Sequence, residues 1–160
     1  MHERPVQLTV NGVARRATVE PRTTLADFLR DHLGLTGTHL GCEHGACGAC
    51  SVLLDGEAVR ACLVFAIQAD GHDVVTVEGL SGPAGELSPV QQAFRDHHGL
   101  QCGFCTPGFV VSTTALLREN PSPTDDEIRE GLSGNLCRCT GYQGILDAVH
   151  ALVDRTAPNG

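Results

Sequence analysis

The chain has 160 residues, with 11 basic against 19 acidic side chains and a formal net charge of −8, which argues against nucleic acid and anionic membrane surfaces as partners. Hydrophobic residues, at 41%, suffice for a packed core, and aromatic residues, at only 4%, make that core aliphatic. The length suits one domain of ordinary size or two small ones.

The first residues, "MHERPVQLTV", lack the apolar run of about 7–15 residues that a secretion signal carries. No stretch approaches the ~20 apolar residues of a membrane span. The expectation is a cytoplasmic chain whose cysteines stay reduced.

In chain order, "VQLTV", "NG" and "VARRATV" predict strand, type I′ turn and strand, with Val6, Leu8 and Val10 on one face. "TTLADFLRDHLGL" predicts a short amphipathic helix opened by Thr and closed at Gly34, with Leu25, Phe28, Leu29 and Leu33 as its core side. A glycine-rich loop, "GCEHGACGAC", follows. "SVLLDGEAVRACLV" predicts a second hairpin turning at Asp55–Gly56, and "DVVTVEGL" a last strand. Two hairpins, one helix and a loop carrying three cysteines are what a β-grasp ferredoxin-like domain requires.

"SGPAGELSP" marks a boundary, being rich in Gly, Pro and Ser. Everything after it predicts helix. Ser88-Pro89-Val90-Gln91 is a capping box with Pro at the first helical position. Thr106-Pro107 opens a second helix with Phe109, Thr113, Leu116 and Leu117 on one face. Thr124-Asp125-Asp126-Glu127 is another capping box, and a last helix after Gly141 turns Ile145, Val149, Leu152 and Val153 inward. The expected fold class is α+β: a sheet domain over residues 1–79, a linker over 80–87, and an all-helical domain of four helices over 88–160.

The eight cysteines fall into two groups of four. Cys42, Cys47, Cys50 and Cys62 read C-x4-C-x2-C-x11-C, the plant-type spacing for a [2Fe–2S] cluster with a remote fourth ligand. Such a cluster with four thiolates is anionic, and backbone N–H groups aimed at its sulfurs stabilise it. Gly41, Gly45 and Gly48 let the backbone come that close. Zinc knuckles pair cysteines more tightly than Cys42–Cys47 or Cys50–Cys62, and a disulfide framework fits poorly with a chain lacking a secretion signal. His44 reads as a loop residue, because the thiol set is complete without it.

Cys102, Cys105, Cys137 and Cys139 read C-x2-C-x31-C-x-C. Alone this is less diagnostic, since zinc could use the C-x2-C pair, although C-x-C is cramped for a knuckle. Both pairs precede predicted helices, whose N-terminal N–H groups favour an anion between them.

Taken together, "GCEHGACGACSVLLDG", "QCGFCTPGFV" and "GNLCRCTGY" resemble the small iron–sulfur subunit of the molybdenum hydroxylases. That family includes xanthine dehydrogenase, aldehyde oxidoreductases, aerobic CO dehydrogenase and hydroxylases of N-heteroaromatic rings. The resemblance spans roughly Val6 to Val153 and implies two [2Fe–2S] clusters on this chain. Cys42, Cys47, Cys50 and Cys62 would hold the one nearer flavin; Cys102, Cys105, Cys137 and Cys139 would hold the one nearer molybdenum. It implies that Gln101 contacts the pterin and that the sulfur of Cys139 lies near the pterin amine. It further implies partner chains: a large molybdopterin-binding subunit and a medium FAD-binding subunit, in a dimer of heterotrimers.

The implied role is single-electron transfer from molybdenum to FAD during oxidative hydroxylation, with water as oxygen source and no bond chemistry on this chain. Substrate is invisible here, and the "EHGA" insert between Cys42 and Cys47 departs from that of aerobic CO dehydrogenases. A free-standing two-cluster ferredoxin and a zinc-binding interaction module are the alternatives. Arg138, between two ligand positions, is open between a cofactor or partner contact and plain charge balance. The acidic run Asp125, Asp126, Glu127 and Glu130 reads as a solvated helix start.

Overall fold

The computed structural model describes residues 2–156. Asn11 and Gly12 both take positive φ, 52° and 77°, the pair of conformations a type I′ turn requires. They fold β1 (Arg4–Val10) back on β2 (Val13–Val19) in the register Val10↔Val13. Alternation then buries Val6, Leu8 and Val10 on one side, as the pattern predicts. Asp55 and Gly56, at φ 50° and 89°, join β3 (Ser51–Leu54) to β4 (Glu57–Arg60) in the same way.

Strand β5 (Asp73–Val75) lies between the two hairpins, parallel to β1 and antiparallel to β3, giving the sheet order β2-β1-β5-β3-β4. It is shorter than "DVVTVEGL" predicts. Thr76 leaves the sheet because its amide donates to Asn11 Oδ1 and its hydroxyl accepts from Asn11 Nδ2, both at 2.9 Å. Residues Val77–Leu80 then wind into a 3-10 turn. The second hairpin also ends early. Ala61–Leu63, predicted as strand, is a 3-10 turn that brings Cys62 back toward Cys50.

The helix predicted after Thr23 is only partly α-helical. Thr24 caps it through Oγ1, accepting the Asp27 amide at 3.0 Å. After α1 (Leu25–Asp27) the chain widens into a π-helix over Phe28–His32, closed by the Leu33 amide on the Phe28 carbonyl at 3.2 Å. Leu25, Phe28 and Leu29 are fully buried against the sheet, whereas Leu33 is half-buried. The Arg30 guanidinium bonds the Thr36 and Thr38 carbonyls at 3.0 and 2.9 Å, tying this helix to the segment that enters the cysteine loop.

The second half holds α2 (Pro89–Asp96), α3 (Thr106–Glu119), α4 (Asp125–Leu132) and α5 (Gln143–Thr156). Both predicted capping boxes form, at Ser88/Gln91 and at Thr124/Glu127. A separate core gathers around Phe94, Phe109, Ile128, Ile145 and Val149, and Val77 and Leu80 pack against it. The sequence pattern gives helix α3 one buried face, with Phe109, Thr113, Leu116 and Leu117. Its first half, Gly108–Thr113, is buried all round because it lies between β3 and the other helices; Leu116 and Leu117 are only half-buried.

Phe28 in the sheet core and Phe94 in the helical core are among the largest apolar groups withdrawn from water, at 0% and 1% exposure. Truncating either to Ala should cost about 3–5 kcal/mol, read as a lowered denaturation midpoint. If Phe28→Ala unfolds at the wild-type midpoint, the sheet core is not packed as described.

Candidate metal centres

The loop from Gly41 to Cys50 curls because Glu43, Gly45 and Gly48 all take positive φ, 56°, 83° and 75°. That curl turns amides inward. Cys42 Sγ accepts the Ala46 and Cys47 amides at 3.3 Å and the His44 amide at 3.5 Å. Cys47 Sγ accepts the Ala49 amide at 3.5 Å. The His44 and Cys47 amides, in that order, hold the Cys42 thiol well below its ordinary value, at about 6. Cys50 is the opposite case, pushed up to about 11, chiefly by burial. His44 is a loop residue, as expected: its Nδ1 lies 2.7 Å from the Cys42 carbonyl oxygen.

Among the second four thiols, Cys105 caps α3 and is pushed up to about 12, first by burial and then by its neighbour Cys137. Cys102 Sγ accepts the Phe104 amide at 3.5 Å. At Cys137 burial pushes the thiol up, but the Thr140 hydroxyl, donating to Sγ at 3.0 Å, and nearby amides outweigh it, and the net direction is down. Cys139 is raised, first by its hydrogen bond with the Cys102 thiol.

In both groups the thiols hydrogen-bond to one another in pairs. Cys42 meets Cys47 and Cys50 meets Cys62; Cys105 meets Cys137 and Cys102 meets Cys139. Among the described residues, no group of three or more His, Cys, Asp or Glu closes around a single metal ion. Two thiol pairs, with N–H or O–H donors aimed at sulfur, fit a two-iron core in which each iron takes two thiolates. In the second group the Cys102–Cys139 pair is exposed, whereas Cys105 and Cys137 are half-buried. Gln101 and Arg138 are exposed, each adjacent in the chain to a member of the outward pair.

The two loops are also bonded to each other. The Leu136 amide donates to the Cys47 carbonyl at 2.9 Å, and Asn135 Nδ2 donates to the Gly48 carbonyl at 3.1 Å. Arg60 bridges Ser51 Oγ and the Gly134 carbonyl, both at 2.7 Å. A Cβ on Gly48 would sit 2.6 Å from Asn135 Nδ2 and the Gly134 oxygen, and one on Gly108 would strike the Gly48 carbonyl. On the other side, His39 Nδ1 lies 2.7 Å from the Phe104 carbonyl oxygen, with the two rings 4.9 Å apart.

None of Arg60, Asn135, His39 or Gly108 stands out in the sequence. Asn135 had the nearest signal, lying inside the "GNLCRC" motif; an arginine ending a strand reads as solvated. The acidic run is absorbed locally. Glu127 closes its capping box, and Asp125 is held below the usual carboxylate range first by Arg129, at 2.7 Å, with His150 at 2.9 Å.

Comparison with known proteins finds a family match for each half of the chain. Residues 8–73 match the family model described as a 2Fe-2S iron-sulfur cluster binding domain, and residues 76–150 the model described as a [2Fe-2S] binding domain. The chain is 60% identical to the nicotine 6-hydroxylase small subunit of Paenarthrobacter nicotinovorans, over 90% of this chain and 86% of that one. It is 53% identical to the caffeine dehydrogenase subunit gamma of Pseudomonas sp. (strain CBB1), over 98% and 95%. A crystal structure of quinoline 2-oxidoreductase from Pseudomonas putida 86 superposes with a TM-score of 0.91 at 50% identity, over 96% of each chain.

The backbone contact at Gly108 gives a direct test of the seam between the loops. Gly108→Ala presses a methyl on the Gly48 main chain, which has no rotamer to yield, and should destabilise by about 1–3 kcal/mol. Thermal unfolding measures it; an unchanged midpoint would mean that the two loops do not meet there.

Proposed function

The chain belongs to the small iron–sulfur subunits of the molybdenum hydroxylase family, and on that premise we propose which residues carry its electron-transfer role. Cys42, Cys47, Cys50 and Cys62 hold one [2Fe–2S] group within a β-grasp ferredoxin-like domain, residues 1–79. Cys102, Cys105, Cys137 and Cys139 hold the other within a four-helix domain, residues 88–160, after a linker over 80–87. The match of the two family models to residues 8–73 and 76–150 and the two-and-two pairing of the thiols support this division.

When bound, the two groups each take up and release one electron at a time. The protein supplies position and tuning. The observation that carries the direction of flow is a contrast in exposure. The Cys102–Cys139 pair is open to a partner surface, while Cys137 is one peptide bond from Leu136, whose amide reaches the Cys47 carbonyl. Electrons therefore enter at the outward pair, beside Gln101, and leave toward the N-terminal site. Gln101 and Cys139 face the pterin of a large molybdenum subunit. The N-terminal site faces FAD on a medium subunit.

Substrate oxidation, with water as oxygen source, takes place on the large subunit. The words "small subunit" and "subunit gamma" in the relatives' names support a multi-subunit enzyme, here a dimer of heterotrimers. Nicotine, caffeine and quinoline are all nitrogen-containing ring compounds, so that class comes first in a substrate screen. No helix among the described residues is long and apolar enough to cross a membrane, and we place the complex in the cytoplasm.

Anaerobically prepared protein should hold about four iron and about four acid-labile sulfide per chain. Cys47→Ala should keep the EPR signal that couples magnetically to Mo(V) and lose the other, and Cys102→Ala the reverse. Loss of the molybdenum-coupled signal in Cys47→Ala would invert the order of the two sites, and stoichiometric zinc without sulfide would end the assignment.

A further inference from the structure

Thr140 is not a cysteine and belongs to neither core, yet three hydrogen bonds close a ring through it. Its hydroxyl donates to Cys137 Sγ at 3.0 Å. The same oxygen accepts the Tyr142 amide at 3.1 Å. The phenol oxygen of Tyr142 in turn accepts the Cys137 amide at 3.2 Å. A hydroxyl has one proton to give; with its oxygen accepting from Tyr142, that proton is directed at sulfur.

The backbone is bent to make this ring. Gly141 and Tyr142 both take positive φ, 61° and 69°, which is uncommon for a bulky residue. The bend carries the Tyr142 ring back over the loop, where it also meets Phe109 edge-on at 6.2 Å between centroids. At Cys42, Cys47 and Cys102 the donors described are main-chain amides. Main-chain donors survive most substitutions. At Cys137 a side-chain hydroxyl donates alongside the Thr140 and Cys139 amides, so part of this sulfur's environment is set by residue choice.

We propose that Thr140 sets the reduction potential of the C-terminal [2Fe–2S] group by hydrogen bonding to the Cys137 thiolate, with Tyr142 as the strut that keeps the hydroxyl proton on that sulfur. The proposal rests on the reading that Cys102, Cys105, Cys137 and Cys139 hold such a group. Reduction adds negative charge, part of which resides on the sulfurs. A donor proton therefore stabilises the reduced form more than the oxidised one and raises the potential. Cys137 belongs to the half-buried pair next to Leu136, on the side through which the electron leaves. Thr140 thus adjusts the potential step between the two sites.

The test is EPR-monitored potentiometry on the intact complex, comparing wild type with Thr140→Val, Thr140→Ala and Thr140→Ser. Val and Ala should shift the C-terminal signal to lower potential. Ser should leave it at the wild-type value, and the N-terminal signal, as internal reference, should not move in any of them. Pulsed EPR in H2O against D2O should show an exchangeable proton coupled to the reduced C-terminal group in wild type and Ser, lost in Val and Ala. An unchanged potential in assembled Val or Ala, or a Ser variant displaced as far as Val, overturns the proposal. Should Val and Ala fail to retain the group, absence of that exchangeable coupling from wild type and Ser overturns it. A wild-type chain with no [2Fe–2S] signal at all would instead overturn the assignment of the thiols.

Discussion

A loop that turns its N–H groups inward onto sulfur must turn carbonyls outward, and outward carbonyls that are buried need donors. This constraint governs the molecule. The segment around Cys42 and Cys47 spends its amides on the Cys42 and Cys47 sulfurs, leaving the Cys47 and Gly48 carbonyls facing the helical half. The donors come from Leu136, Asn135 and Ser51. Two of those three lie in the run leading to Cys137. The two thiol sets are therefore built as one object, and Gly108 and Gly48 lack side chains where their backbones must approach.

The same arrangement separates the thiols by environment. Cys42 lies in a cup of amides and ionises easily, whereas Cys50 and Cys105 resist ionisation because they are withdrawn from water. Each site thus has one thiol whose burial favours the protonated form, and a metal ion bound there would favour its loss of the proton.

What was legible in the sequence was local. Asn11–Gly12, Asp55–Gly56 and the boxes opening α2 and α4 each need only their own few residues, and each formed as read. The cysteine spacing pointed to two [2Fe–2S] domains, and a family model for such a domain matches each half of the chain. What failed depended on distant partners. Strand β5 stops because Asn11, 65 residues away, captures Thr76. Helix α1 widens where Phe28 and Leu29 press into the sheet. Asn135 reaches across 87 residues to Gly48, and Arg60 across 74 to Gly134. Thr140 and Tyr142 stood in plain view within "CTGY", but which atom a hydroxyl faces is a property of the folded turn.

The bond from Leu136 to Cys47 also has a consequence for the order in which a nascent chain becomes competent. Synthesis delivers the last thiol of the first set at residue 62 and the strand that joins the two hairpins at residues 73–75. Ser51 already reaches the Gly48 carbonyl, but the Asn135 and Leu136 donors come about sixty residues later, roughly three to twelve seconds at ordinary elongation rates. In that interval the first loop is complete in sulfur but open to water on its far side. Translation itself therefore separates the completion of this thiol set from its sealing by the helical half.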